Sequence, residues 1–82
     1  MDMRNVTLKI TYEPVDDSAY IYFVDPAEAG SFGTTHGFTY ACDPIEVDGM
    51  INLDFDVDGR LTGMEVLGAR GKLPRSVLTS LT

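Results

Sequence analysis

The stretch Ile51-Asn52-Leu53-Asp54-Phe55-Asp56-Val57-Asp58-Gly59-Arg60-Leu61-Thr62-Gly63-Met64-Glu65-Val66-Leu67 decides how this chain folds. Inside it Asp54, Asp56, Asp58, Gly59 and Glu65 spell the written pattern of an EF-hand calcium loop. Such a loop needs a helix on each side, so that its oxygens can coil around the ion at about 2.3–2.6 Å. The flanks here have the period of strands. Ile51, Leu53, Phe55 and Val57 alternate with Asn52, Asp54, Asp56 and Asp58, which is the pattern of a strand with one wet face. Leu61 to Leu67 reads as a second strand, and Asp58-Gly59 between them is a hairpin signal.

Register narrows the turn. A two-residue loop at Asp58-Gly59 would set Phe55 opposite Thr62 and Asp56 opposite Leu61, mixing polar with apolar on each face. A three-residue loop, Val57-Asp58-Gly59, instead pairs Phe55 with Leu61, Asp54 with Thr62 and Asp56 with Arg60, with Gly59 left-handed in a bulge. Beyond Gly63 the apolar parity moves to Met64 and Val66, which places a further bulge at that glycine. In this arrangement Asp54, Asp56 and Glu65 project from the solvated face. They are the candidate metal ligands of the chain, three carboxylates able to attract calcium without enclosing it, and their plainer reading is a charged face that keeps the hairpin soluble.

The 82 residues form one domain, 1–82, near the size at which a single core is barely sufficient. The single cysteine, Cys42, excludes an internal disulfide and fits a reducing cytoplasm. No basic end followed by an apolar stretch marks a leader, and no apolar run is long enough to cross a bilayer. A net charge of −7 with only 6 lysines and arginines argues against nucleic acid and against an anionic membrane surface. It suits a basic protein partner, or solubility alone.

Val6, Leu8, Ile10 and Tyr12 alternate with polar residues as a first strand, ended by Pro14 and the acidic turn Asp16-Asp17. Ala19 to Val24 is apolar or aromatic on both faces, so a central strand is expected there, with Tyr20, Tyr22 and Phe23 as interface candidates. Residues 25–36 change to Pro, Ala, Glu, Gly, Ser and Thr and are expected to form a mobile loop. Gly37 to Asp43, carrying Phe38, Tyr40 and Cys42 in alternation, is a further strand. Val77, Leu78 and Leu81, with Pro74 in the first turn, predict a short C-terminal helix over 73–81 that must dock on the sheet.

No set of residues specifies a reaction. His36 could serve a nucleophile such as Cys42, Ser31 or Thr35, but an exposed loop histidine is the commoner case. The glycines of Gly30 to Gly37 lack the lysine of a phosphate cradle. Tyr12, Tyr20, Tyr22, Phe23 and Tyr40 could line a pocket, although aromatics on strands usually build a core or an interface.

Two segments, Leu8 to Ile21 and Ile51 to Leu67, together resemble the short prokaryotic proteins grouped as domain-of-unknown-function family 2283. In that family a strand ending in Tyr-Asp or Tyr-Glu precedes an acidic turn and a Tyr-Ile strand. An Asp-Xaa-Asp-Xaa-Asp-Gly hairpin, a Gly-Ile-Glu-Ile-Leu-like strand and a terminal helix follow. The likeness covers most of the chain and departs from Asp25 to Asp48, where this chain is longer and richer in glycine. It implies a small α+β fold with an antiparallel sheet and carries over no activity, cofactor or catalytic residue.

The expected architecture is thus α+β, a twisted antiparallel sheet of about five strands built from hairpins and backed by one short C-terminal helix. The expected function is a non-enzymatic interaction or regulatory module without a cofactor, which forms a homo-oligomer or binds a basic protein partner. The alternative is a small-ligand or calcium-binding protein using the aromatics with His36, or the face bearing Asp54, Asp56 and Glu65.

Overall fold

The computed structural model describes residues 3–25, 36–43 and 49–82. Five strands, β1 (Lys9–Glu13), β2 (Ser18–Tyr22), β3 (His36–Cys42), β4 (Ile51–Asp56) and β5 (Leu61–Leu67), precede a 3-10 turn over Ala69–Gly71 and one helix, α1 (Arg75–Leu81). They form a single antiparallel sheet in the order β1-β2-β5-β4-β3. The α+β reading and the strand count therefore stand. The expected mobile loop of residues 25–36 lies, over 26–35, outside the described residues, and His36 already belongs to β3. No helix among the described residues is long and apolar enough to cross a membrane.

The β4–β5 hairpin closes as its turn chemistry requires. Asp56 N donates to Arg60 O at 2.9 Å, Gly59 N donates to Asp56 O at 3.0 Å, and Gly59 has φ of 81°, a conformation that a side chain would strain. Phe55 pairs with Leu61 as the three-residue loop demands, but Asp54 pairs with Gly63, not with Thr62. The bulge thus falls one residue earlier than the apolar parity suggested, with Thr62 as the extra residue. Its position has a local cause, since Thr62 O accepts from Phe23 N on the β2 side and Thr62 Oγ1 donates to Asp54 O on the β4 side.

Strand length is set by partners as much as by pattern. Val6 and Leu8 continue the alternation of β1, yet β1 starts at Lys9, because its partner β2 stops at Tyr22 and the chain bends at Phe23 and Val24. Val6 is left 80% exposed. At the other end α1 begins at Arg75, and Pro74 stands just outside it as the N-cap with ψ of 145°, its carbonyl accepting from Val77 N and Leu78 N.

Asp17 joins the first hairpin to the end of the sheet. It adopts φ of 51°, a left-handed conformation that aspartate tolerates better than most residues. Its Oδ1 accepts from Tyr12 Oη at 2.9 Å and from Arg70 N at 3.0 Å, while its carbonyl accepts from Ala69 N at 2.9 Å. Ala69 is thereby drawn onto Ala19 and Val66, and these three are the buried apolar core among the described residues, with Tyr12, Met64 and Leu73 packed against it. The core sits at the β1-β2-β5 side of the sheet, where α1 lies beside β1.

Candidate functional site

Register and alternation divide the sheet into two faces. One carries Ile10, Tyr12, Ala19, Ile21, Met64, Val66, Ile51, Leu53, Phe55, Phe38 and Tyr40, and the other Thr11, Tyr20, Tyr22, Glu65, Asn52, Asp54 and Thr39.

On the polar face Tyr20, from β2, reaches over β5 to Asp54 on β4. The crossing is possible because the residue beneath it is Gly63, where a Cβ would collide with the Tyr20 ring and hydroxyl. Tyr20 Oη donates to Asp54 Oδ2 at 2.5 Å, and Thr39 Oγ1, from β3, donates to Asp54 Oδ1 at 2.6 Å. Three strands, β2, β3 and β4, are tied through one carboxylate, across the intervening β5. Asn52 Nδ2 donates to Glu65 Oε1 at 2.9 Å beside it, and the Tyr22 ring packs against Tyr20 at a centroid distance of 4.6 Å. Burial, then the hydrogen bond to Asp54 and the charge of that carboxylate, hold the Tyr20 hydroxyl far above the ordinary tyrosine range. Tyr20 is therefore expected to stay protonated while a free tyrosine ionises near pH 10. Absorbance titration at 295 nm should show no step near pH 10 in the difference between the protein and Tyr20→Phe.

The sign of the linkage follows. Because the folded-state pKa is raised, the stability contributed by the Tyr20 hydroxyl is complete below the pKa of unfolded tyrosine. It is lost as pH rises from there toward the higher folded value.

The three candidate metal ligands are not brought together. Asp54 and Glu65 share the polar face, each already accepting a side-chain hydrogen bond. Asp56 departs from the expectation of a solvated side chain. It is 4% exposed, and its Oδ1 accepts from both Asp58 N and Arg60 N at 2.9 Å, so its carboxylate closes the hairpin from within. The alternation correctly marked Asp56 as outward along β4, but the turn folds back over it and supplies donors that water would otherwise provide. Among the described residues no group of three or more His, Cys, Asp or Glu is placed to hold a metal ion.

His36 and Cys42 stand at opposite ends of β3, about 20 Å apart along an extended strand. His36 is exposed, with Nε2 at 3.4 Å from Thr39 Oγ1, and Cys42 is a half-buried free thiol. Ser31 and Thr35, the other nucleophiles considered with His36, lie outside the described residues. Among the described residues, open clefts border β1. One of about 400 Å³ lies between Val6, Leu8 and Lys9 on one side and Tyr22, Phe23 and Asp25 on the other, where the β1–β2 ladder has ended. The second, of about 510 Å³, separates Leu8 and Ile10 from Val77 and Leu81. His36 borders neither.

The interface candidates separate in the same way. Tyr20 and Tyr22 are half-buried and committed to the polar-face network, while Phe23 is 38% exposed at the first cleft. The larger exposed aromatics lie on the other face and the other side of the sheet. Phe38 stacks on Phe55 at 4.7 Å with the rings 13° from parallel, yet remains 50% exposed, and Tyr40 is 61% exposed. The sequence places Tyr40 among aromatics able to line a pocket or an interface, without Phe38 and without singling out this strand. Its signal was present in the alternation of Phe38 and Tyr40, combined with a terminal helix too short to cover five strands.

No curated protein and no solved structure matches the chain. The family model for a protein of unknown function (DUF2283) matches residues 9–70, which run from the first residue of β1 into the 3-10 turn and include the Tyr12–Asp17 tie, the β4–β5 hairpin and Gly63. The chain belongs to the DUF2283 family.

Proposed function

We propose that this protein is a non-enzymatic interaction module that self-associates through the apolar face of its sheet and whose acidity suits a basic protein partner. The observation that carries this reading is the uncovered aromatic pair Phe38 and Tyr40, at the end of the apolar face farthest from α1.

The alternative reading, a small-ligand or calcium protein, has less behind it, since Asp54, Asp56 and Glu65 already accept hydrogen bonds within the sheet and its hairpin. A reducing cytoplasm would keep Cys42 as a thiol. Light scattering over a concentration series, from micromolar to several hundred micromolar, is expected to show a rise from one chain mass to two. A constant single-chain mass, together with no retention of basic proteins on the immobilised chain, would remove the basis of the proposal.

A further inference from the structure

We infer that two copies of this chain join edge to edge through β3, antiparallel about a twofold axis at Thr39, to make one continuous ten-stranded sheet. The inference rests on the self-association reading and moves the contact from the apolar face as a whole to its β3 edge, where Phe38 and Tyr40 lie.

Hydrogen bonding within the sheet fixes which backbone groups β3 presents. Met50 O accepts from Leu67 N, and Asp56 N donates to Arg60 O, so the even-numbered residues of β4 turn their backbone toward β5. Alternation then turns Ile51, Leu53 and Phe55 toward β3, where their register partners Cys42, Tyr40 and Phe38 face back. Thr39 and Ala41 are left with N–H and C=O directed away from the sheet, at its edge.

Of the usual defences against pairing, the described part of this edge has one bulge, between His36 and Phe38 at the start of β3, and no charge or proline beyond it. From His36 to Cys42 there is no Lys, Arg, Asp, Glu or Pro, in a chain of net charge −7. The other edge, β1, carries Lys9 and Glu13 and has α1 beside it. Two acidic copies can therefore approach along β3 without placing carboxylate against carboxylate within the paired strands. An axis at Thr39 sets Phe38 of each copy directly opposite Tyr40 of the other, in non-hydrogen-bonded pairs with Cα atoms about 4.5 Å apart, where side chains pack closest. The flanks of both exposed aromatics are then packed by one operation, and the β3 edge disappears.

Two variants test this beside the wild type. Ala41→Pro removes one outward donor and leaves the β3–β4 ladder its own bonds, as proline on an edge strand does. Thr39→Cys in a Cys42→Ser background sets two thiols across the axis at a Cα separation of about 5.5 Å, within the range a disulfide spans. The expected result is a wild-type dimer by light scattering and a dissociation constant raised at least tenfold in Ala41→Pro with an unchanged far-UV circular dichroism spectrum. Under mild oxidation, near-complete cross-linking of the Thr39→Cys chain is expected. A wild type that stays monomeric at several hundred micromolar overturns both this inference and the self-association reading. A wild-type dimer whose Thr39→Cys form does not cross-link, and which Ala41→Pro leaves intact, overturns the β3 pairing alone.

Discussion

Replacing Gly63 by alanine should lower stability by about 3 kcal/mol, the sum of a steric displacement and a lost charge-assisted hydrogen bond. A methyl group at residue 63 would lie closer to Tyr20 Oη, Cε1 and Cζ than any tolerable contact distance. These atoms are the far end of a side chain, so the ring can swing aside. It cannot do so and keep its bond to Asp54, and Asp54 would then hold only the Thr39 hydroxyl. A chain of this length loses about 4–8 °C of melting temperature per kcal/mol, so the change should be visible in a thermal scan. Coupling is the decisive measurement. In a Tyr20→Ala background Gly63→Ala should cost less than about 1 kcal/mol, and a cost equal to that in the wild type would show that Tyr20 is not what requires the glycine.

Asp56→Ala should cost about 2–3 kcal/mol, because the backbone N–H groups of Asp58 and Arg60 would both lose a charged acceptor. Asp58→Ala, two residues on and exposed, should stay within about 0.5 kcal/mol of the wild type. Urea unfolding of the two variants separates the readings of this acidic run. If Asp56 were only one more charge on a wet face, both substitutions would be equally mild. Asp56→Asn, which keeps an acceptor oxygen at the same place, should recover part of the loss.

These two residues also show where local pattern stops being informative. Alternation located β3, β4 and β5 to within about a residue, and Val57-Asp58-Gly59 located the turn, because period and turn chemistry are properties of neighbours along the chain. The same alternation placed Asp56 in water. It could not foresee that a three-residue loop returns two N–H groups to that carboxylate, since the contact depends on the path of the loop in space. The parity shift beyond Gly63 places a bulge at that glycine and shows no other reason for it. Its reason, a tyrosine 43 positions earlier in the chain crossing above it, appears only when β2 and β4 are set on either side of β5.

The strand order made the further differences. Nothing in Ala19 to Val24 says that the strand beside it is β5, and that pairing alone aims Tyr20 at Asp54 and gives Phe23 N the bulged Thr62 carbonyl as its partner. Nor does the pattern of Phe38 and Tyr40 say that their strand lies at an edge, remote from the helix.

By itself the sequence determined the strands and the hairpin tip, because these follow from the alternation of side chains and from the few residues that accept a left-handed turn. Only the tertiary structure decided which carboxylates are occupied and which aromatics remain uncovered. Those depend on which strands become neighbours, and a strand's neighbours are chosen by the packing of the whole sheet.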